Sequence, residues 1–227
     1  MEPDDWQASV LRSDHPRILL NCCRQAGKSQ TAAVRAVHCA VYEPGALILL
    51  LSPSLRQSQE LFLKVLATYR SLGRPVPSES ENALSLTLES SSRIVSLPGT
   101  EGTVRSYSAV RLLIVDEAAR VPDDVMAAVR PMLAVSRGSL IALSTPFGAR
   151  GWWHEAWRSQ ADWQRFKVTA EECPRISVEF LEEERRSQGE WWFRQEYCCD
   201  FMDAQTMAFN SEYVEALFGE DVEQWEL

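Results

Sequence analysis

The sequence has no long hydrophobic segment. No apolar run approaches the ~18 residues that a membrane-spanning helix needs, and no basic stretch leads into an apolar one near the start. We therefore expect a protein that neither crosses a membrane nor carries an export leader. Histidine is also scarce, with three among 227 residues, and none is spaced from a cysteine as a metal ligand would be.

Paired cysteines and a surplus of basic residues are missing as well. None of the six cysteines forms a Cys-x-x-Cys motif, so reduced, mostly buried thiols of a cytoplasmic protein are favoured over a metal site. The formal net charge of −9 argues against a generally basic nucleic-acid-binding surface, although a local basic groove stays open. Apolar residues make up 45% of the chain, which is enough for a sizeable core.

The most informative stretch is 21–29, with the sequence Asn-Cys-Cys-Arg-Gln-Ala-Gly-Lys-Ser. The apolar run 18–20 leads into it and a helix-compatible stretch, 31–42, follows it. A strand, a tight turn and a helix are the setting of a phosphate-binding loop. Backbone N–H groups at the start of the helix point at an anion, and the helix dipole adds favourable potential.

Three residues of this loop suit nucleotide chemistry. Gly27 lets the backbone approach the phosphates, Lys28 can reach the β- and γ-phosphates, and Ser29 can place its hydroxyl on Mg²⁺. The strict motif has a glycine where Cys22 stands. A helix start that merely contains Gly-Lys-Ser is therefore the alternative.

A second motif lies downstream, where the apolar run 112–115 ends in two adjacent carboxylates, Asp116 and Glu117. A buried parallel strand has this pattern, and ligands of open α/β sheets bind beyond the carboxyl ends of strands. Asp116 would hold Mg²⁺ and Glu117 would polarise the attacking water. A solvated acidic pair at a helix start is the alternative, but the phosphate loop upstream favours the nucleotide site.

Strands and helices alternate along the rest of the chain. Buried strands are predicted at 46–51 and 139–143, and a last strand at 163–168. Apolar and polar residues alternate over 84–88 and the stretch 93–97 follows, which predicts a β-hairpin at the sheet edge. Near the start, Gln7 has an amide that can donate and accept at once, as the N6/N7 edge of adenine requires. An ordinary surface glutamine is the alternative.

These motifs together resemble a P-loop NTPase of RecA-like topology, and more narrowly the ATPase domain of the large terminase subunit of tailed bacteriophages. The resemblance runs from Trp6 to about Phe201. It rests on four further matches to the family: its adenine motif, its deviant phosphate loop with an early arginine and no first glycine, its coupling motif, and its linker to a nuclease. These are Trp6 with Gln7, residues 24–29, residues 144–146 and residues 192–197.

The resemblance implies an α/β fold with a mostly parallel central sheet flanked by helices and an edge β-hairpin. Residues 1–170 would form the ATPase core, and 171–227 a small helical linker subdomain with a tail. The implied nucleotide-binding residues are Gln7, Gln25, Ala26, Gly27, Lys28, Ser29 and Gln30. The implied catalytic residues are Glu117, Lys28, Arg24 and Arg105, the metal ligands are Ser29 and Asp116, and the coupling residues are Ser144 and Thr145.

Two arginines carry roles that come from the resemblance alone. Arg24 would touch the γ-phosphate, and Arg105 stands where the family has an arginine proposed to act on the ATP of a neighbouring subunit. A loop arginine that contacts DNA or solvent is the alternative for Arg105.

The implied activity is Mg²⁺-dependent ATP hydrolysis that drives double-stranded DNA into a procapsid in the cytoplasm of an infected bacterium. Portal protein, small terminase subunit and further copies in a ring would be the partners, with a monomer in isolation. No nuclease activity is expected, because Asp200, Asp203 and Asp221 lack a strand scaffold. The alternatives are a RecA-like helicase or remodelling ATPase, for which 227 residues leave little room, and an ATP-binding assembly protein without turnover.

Overall fold

The computed structural model describes residues 2–99 and 107–202. These ranges contain seven α-helices and eight β-strands. The helices are α1 (Asp5–Arg12), α2 (Lys28–Tyr42), α3 (Leu55–Ser71), α4 (Asp123–Val129), α5 (Gly151–Arg158), α6 (Val178–Gln188) and α7 (Glu190–Glu196). The strands are β1 (Arg17–Cys22), β2 (Leu47–Ser52), β3 (Ser78–Glu81), β4 (Ser85–Leu88), β5 (Arg93–Pro98), β6 (Leu112–Asp116), β7 (Ser139–Ser144) and β8 (Gln164–Val168).

The strands form one sheet in the order β3-β4-β5-β2-β6-β7-β1-β8. Every neighbouring pair from β5 to β8 is parallel, while β3 and β4 are antiparallel to their neighbours. The predicted α/β fold, its mostly parallel sheet and its edge hairpin are confirmed. The outermost strand, β3, was not predicted.

Both faces of the sheet are covered, which explains the continuous apolar runs of the central strands. Successive side chains of a strand point to opposite faces. Ile18 and Leu20 of β1 accordingly pack in a cluster with α2 and α3, whereas Leu19 packs with α4 and α5. Trp153 of α5 is fully buried in the second cluster, as expected of a core tryptophan.

Three central strands bring their carboxyl ends together at one edge of the sheet. Asn21 near the end of β1 pairs with Ser144, the last residue of β7, and Asp116 at the end of β6 pairs with Leu143. Because parallel strands end on the same side, the phosphate loop, the acidic pair and the segment after β7 become neighbours.

The C-terminal part of the described chain packs back onto this edge. Phe193 and Tyr197 belong to the same buried cluster as α2. The Asn21 side-chain amide donates to the Cys199 carbonyl at 3.0 Å, and the Ala170 amide donates to the Tyr197 carbonyl at 2.8 Å. Residues on both sides of position 170 therefore pack in the same core. The division into two domains at this position stays a prediction. Among the helices of the described ranges, none is long and apolar enough to span a bilayer.

Candidate nucleotide-binding site

The loop between β1 and α2 has the backbone of a tight anion-binding turn. Gln25 and Gly27 adopt left-handed conformations, with φ of 61° and 93°, and α2 begins directly after them at Lys28. A Cβ atom at Gly27 would lie 2.7 Å from Nε2 of Gln7. The left-handed conformation favours glycine here, and a larger residue would also displace the Gln7 side-chain amide.

A cavity of about 540 Å³ opens between this loop, the start of α3 and the end of β6. Its lining residues are Arg24, Gln25, Gly27, Lys28, Ser29, Gln57, Lys64, Glu117 and Arg120. Four of them are lysine or arginine and one is acidic. The cavity therefore combines a helix N-terminus with a surplus of positive charge, which is the environment that a polyphosphate needs.

The two sequence motifs meet in this cavity. Nζ of Lys28 lies 3.8 Å from Oε1 of Glu117, and the Lys28 side chain is largely buried. The Ser29 hydroxyl donates to Oδ2 of Asp116 at 3.2 Å. The lysine, the hydroxyl and both carboxylates are thus brought together from α2 and β6, as the sequence predicted.

Asp116 has an unusual environment for a carboxylate. Burial and the neighbouring charge of Glu117 raise its pKa to about 6, against the lowering effects of Lys28, the Glu117 backbone N–H and the Ser29 hydroxyl. The charge of Lys28 alone does not offset burial and the charge of Glu117, so more positive charge would be needed to favour the ionised carboxylate. A divalent cation placed against Asp116 would supply that charge.

The residues at this position fit Mg²⁺. In the described ranges, no group of three or more His, Cys, Asp or Glu side chains could hold a metal on its own. Mg²⁺ does not need such a cage, because it keeps several waters and binds one or two carboxylates together with substrate phosphates. Asp116 and the Ser29 hydroxyl would be its protein contacts.

The backbone at Glu117 is left-handed, with φ of 49°, which is uncommon for a residue other than glycine. Directly after it, the 3₁₀ turn Ala118–Arg120 is linked to β7, because the Ala119 amide donates to the Ser144 hydroxyl at 3.2 Å. Thr145, the second predicted coupling residue, is also buried. The predicted coupling pair therefore lies one short turn away from the acidic pair.

Arg24 lines the cavity but is held by the C-terminal segment. Its Nε donates to Oε2 of Glu196 at 2.6 Å, and its backbone amide donates to the Glu196 carbonyl at 3.3 Å. The Glu196 side chain is almost fully buried, whereas that of Arg24 is 61% exposed. The sequence assigned Glu196 to a linker and gave no sign that it contacts the phosphate loop.

Three further predicted residues, Gln7, Ala26 and Gln30, lie around the loop and do not line the cavity. Oε1 of Gln7 accepts a hydrogen bond from the Asp4 amide at 3.0 Å. Ala26 is buried. The side chain of Gln30 donates to Oγ1 of Thr68 on α3 at 3.0 Å and does not line the cavity. Arg105 lies outside the described residues, so its role stays a prediction.

Sequence inspection missed several residues near the loop. Lys64 of α3 and Arg120 line the cavity, and Arg175 contacts the carbonyl of Ala26. A lysine or arginine on a helix or in a connection carries no local motif, so only the fold identifies these three.

Comparison with known proteins identifies two large terminase subunits as relatives of this chain. No family model matches the chain. The large terminase subunits of Thermus phage G20c and Thermus virus P23-45 are each 26% identical over 246 residues, which covers 92% of this chain and 50% of each relative. The chain therefore spans about half the length of the curated relatives it matches.

Solved structures show the same fold. The large terminase ATPase domain of Thermus phage P74-26 superposes with a TM-score of 0.79 at 23% identity, covering 88% of this chain and 94% of that domain. The large terminase of a second thermophilic bacteriophage superposes with a TM-score of 0.77 at 14% identity, covering 89% of this chain and 54% of that protein.

Proposed function

We propose, from the premise that this chain is related to the ATPase half of bacteriophage large terminase subunits, that it hydrolyses ATP to drive double-stranded DNA into a procapsid. The observation that carries the proposal is that Lys28 and Glu117 line the same cationic cavity, and that Ser29 beside them donates a hydrogen bond to Asp116. Complexes of the second thermophilic bacteriophage's large terminase with ADP and with ATP-gamma-S support nucleotide binding on this fold.

Each residue has a proposed role, and that of Arg24 rests on the resemblance to the family alone. Phosphoryl transfer needs little covalent help and depends on positioning and charge stabilisation. Lys28 and the loop amides would hold the β- and γ-phosphates, and Arg24 would reach the γ-phosphate. Ser29 and Asp116 would hold Mg²⁺, which neutralises phosphate charge when bound. Glu117 would orient the attacking water.

The segment after β7 would carry the effect of hydrolysis to the rest of the chain. Ser144 accepts a hydrogen bond from the 3₁₀ turn that follows Glu117. On the other side of this segment, the Gly148 amide donates to Oε1 of Gln195 on α7 at 3.0 Å. A shift of Glu117 on phosphate release would therefore be passed through two hydrogen bonds to the C-terminal segment. This is the role that we propose for Ser144 and Thr145.

Phosphate release measured with malachite green tests the enzymatic part. The wild type should hydrolyse ATP, with the activity abolished by EDTA and restored by excess Mg²⁺. Lys28→Ala should abolish hydrolysis, whereas Lys167→Ala should not, because Lys167 pairs with Asp200 and does not line the cavity. ATP binding without hydrolysis at any protein concentration, with or without DNA, would instead favour an assembly protein.

The proposed ring assembly has its own test. Arg105 would complete the site of a neighbouring subunit, and an arginine supplied in this way is worth roughly 10³–10⁵ in rate in other NTPases. We expect a monomer with weak hydrolysis in dilute solution and a specific activity that rises with concentration. A mixture of Arg105→Ala with Glu117→Gln should regain part of the activity. No recovery under conditions where the wild type assembles would exclude action in trans.

The other proposed partners are double-stranded DNA, the portal protein and the small terminase subunit. They follow from the relationship to large terminase subunits. Stimulation of ATP hydrolysis by duplex DNA, compared with single strands of equal length, is the simplest measurement of the first of these interactions. Absence of stimulation in assembled protein would count against the motor function.

A further inference from the structure

One arginine outside the sequence motifs joins three separate parts of the chain at the phosphate loop. Arg175 lies between the 3₁₀ turn Ala170–Glu172 and α6. Its Nη1 and Nη2 donate to Oδ1 and Oδ2 of Asp4 at 2.9 and 2.6 Å, which is a two-pronged carboxylate pair. The same Nη2 donates to the carbonyl oxygen of Ala26 at 2.9 Å.

We infer that Arg175 is a positioning residue that orients the peptide between Ala26 and Gly27 for phosphate binding. In a planar trans peptide the C=O and the following N–H point in opposite directions. By holding the Ala26 carbonyl, Arg175 directs the Gly27 N–H away from its own guanidinium. Gly27 lines the cationic cavity. The inference rests on the proposed function.

Arg175 is itself held from two directions. Asp4, its carboxylate partner, precedes α1, and the Asp4 backbone amide donates to Oε1 of Gln7 at 3.0 Å. Near Arg175 in the chain, Cys173 is buried with its Sγ 3.7 Å from Sγ of Cys23, close to the start of the loop. The Arg175 side chain is 40% exposed, so its guanidinium is held by Asp4 and the Ala26 carbonyl, while the buried Cys173 anchors the backbone two residues before it.

Positioning and simple charge attraction predict opposite effects for one variant. Asp4 neutralises Arg175 across the two-pronged pair. Asp4→Asn removes a negative charge near the loop, so charge attraction alone would strengthen the binding of a polyphosphate. If Arg175 acts by orienting the peptide, the same change loosens the guanidinium and weakens binding.

The experiment is titration calorimetry of ADP and of inorganic tripolyphosphate on the purified chain. Arg175→Ala should weaken the binding of both by about tenfold or more. Arg175→Lys should be intermediate, because an ammonium group cannot hold the carboxylate and the carbonyl in the fork geometry of a guanidinium. Asp4→Asn should weaken binding by a few-fold.

The matched control is Arg70→Ala. Arg70 also pairs with a carboxylate, that of Glu81, at 2.7 Å, and its side chain is 53% exposed against 40% for Arg175. Its partner lies on β3, whereas Arg175 also holds the Ala26 carbonyl of the phosphate loop. Arg70→Ala should leave both dissociation constants unchanged. Far-UV circular dichroism and thermal unfolding without ligand check that each variant folds. If Arg175→Ala does not fold, the binding constants of Arg175→Lys and Asp4→Asn test the orienting role.

The outcomes separate this inference from the proposed function. Unchanged tripolyphosphate binding in Arg175→Ala, with or without a loss for ADP, would overturn the orienting role. Tighter tripolyphosphate binding by Asp4→Asn would also overturn the orienting role and would show that Arg175 acts by charge attraction. Failure of the wild type to bind either probe would instead overturn the proposed nucleotide site itself, and the inference with it.

Discussion

Phe193→Ala tests whether the C-terminal segment belongs to the ATPase core. Phe193 is 6% exposed and packs in the cluster that includes Tyr197, whose ring centroid lies 5.2 Å away. The guanidinium of Arg185 lies 4.2 Å from its ring centroid. Truncation of a buried phenylalanine costs about 3–5 kcal/mol. Since α7 is short and near the surface, we expect the lower end, about 3 kcal/mol of unfolding free energy.

For a chain of this size, that loss corresponds to a fall in Tm of roughly 6–12 °C. The assay is urea unfolding followed by tryptophan fluorescence and far-UV circular dichroism. A shared core requires both probes to report one transition that moves as a whole. Val178→Ala on α6 is the control, because Val178 is 66% exposed and its truncation should change little.

Two separate transitions, with only the smaller one shifted by Phe193→Ala, would refute the reasoning. The segment after residue 170 would then fold by itself, and its contacts with the phosphate loop would be those of a docked subdomain.

The remaining predictions concern one glycine, one ion pair and one glutamine. Gly138→Ala should lower the unfolding free energy by about 2 kcal/mol or more, measured by urea unfolding, because its Cβ would lie 2.1 Å from the carbonyl oxygen of Val110; wild-type stability would contradict this. The hydrogen bond from Arg175 lowers the pKa of Asp4 in the folded protein. This ion pair therefore stabilises the fold at pH values above the pKa of Asp4 in the unfolded chain, and the stabilisation is lost as the pH falls through the lower folded-state pKa. The stability gap between wild type and Asp4→Asn should close between about pH 7 and strongly acidic pH, and a constant gap would exclude this linkage. Gln7→Ala should weaken ATP binding by roughly 1–3 kcal/mol and relax discrimination against GTP, and an unchanged ratio of the two affinities would leave Gln7 as a helix-capping residue only.

The central part of the site could be predicted because its signals are local. The apolar run before Asp116 and the one before Asn21 each identify a buried parallel strand. Parallel strands end on the same side of a sheet, so two stretches far apart in sequence had to meet. The edge hairpin was also predictable, because Leu86 and Leu88 alternate with polar residues.

What escaped prediction depends on pairing between distant residues. Strand β3 has the sequence Ser-Glu-Ser-Glu and no apolar face, so only its backbone pairing with β4 makes it a strand. Arg175 and Asp4 are 171 residues apart, and Arg24 and Glu196 are 172 apart. An arginine or glutamate at a surface position is usually solvated, and no sequence pattern distinguishes the few that bridge segments of the fold.

The most direct test of the central claim, that Glu117 orients water while the loop holds the nucleotide, is one variant measured in two ways. Glu117→Gln keeps the size of the side chain and removes its charge, so the dissociation constant for ATP should stay within about threefold of the wild type. Turnover in a malachite-green assay of the same preparation should fall by about 100-fold or more. Wild-type turnover by Glu117→Gln would contradict the account, and so would a loss of ATP binding as large as the loss of turnover.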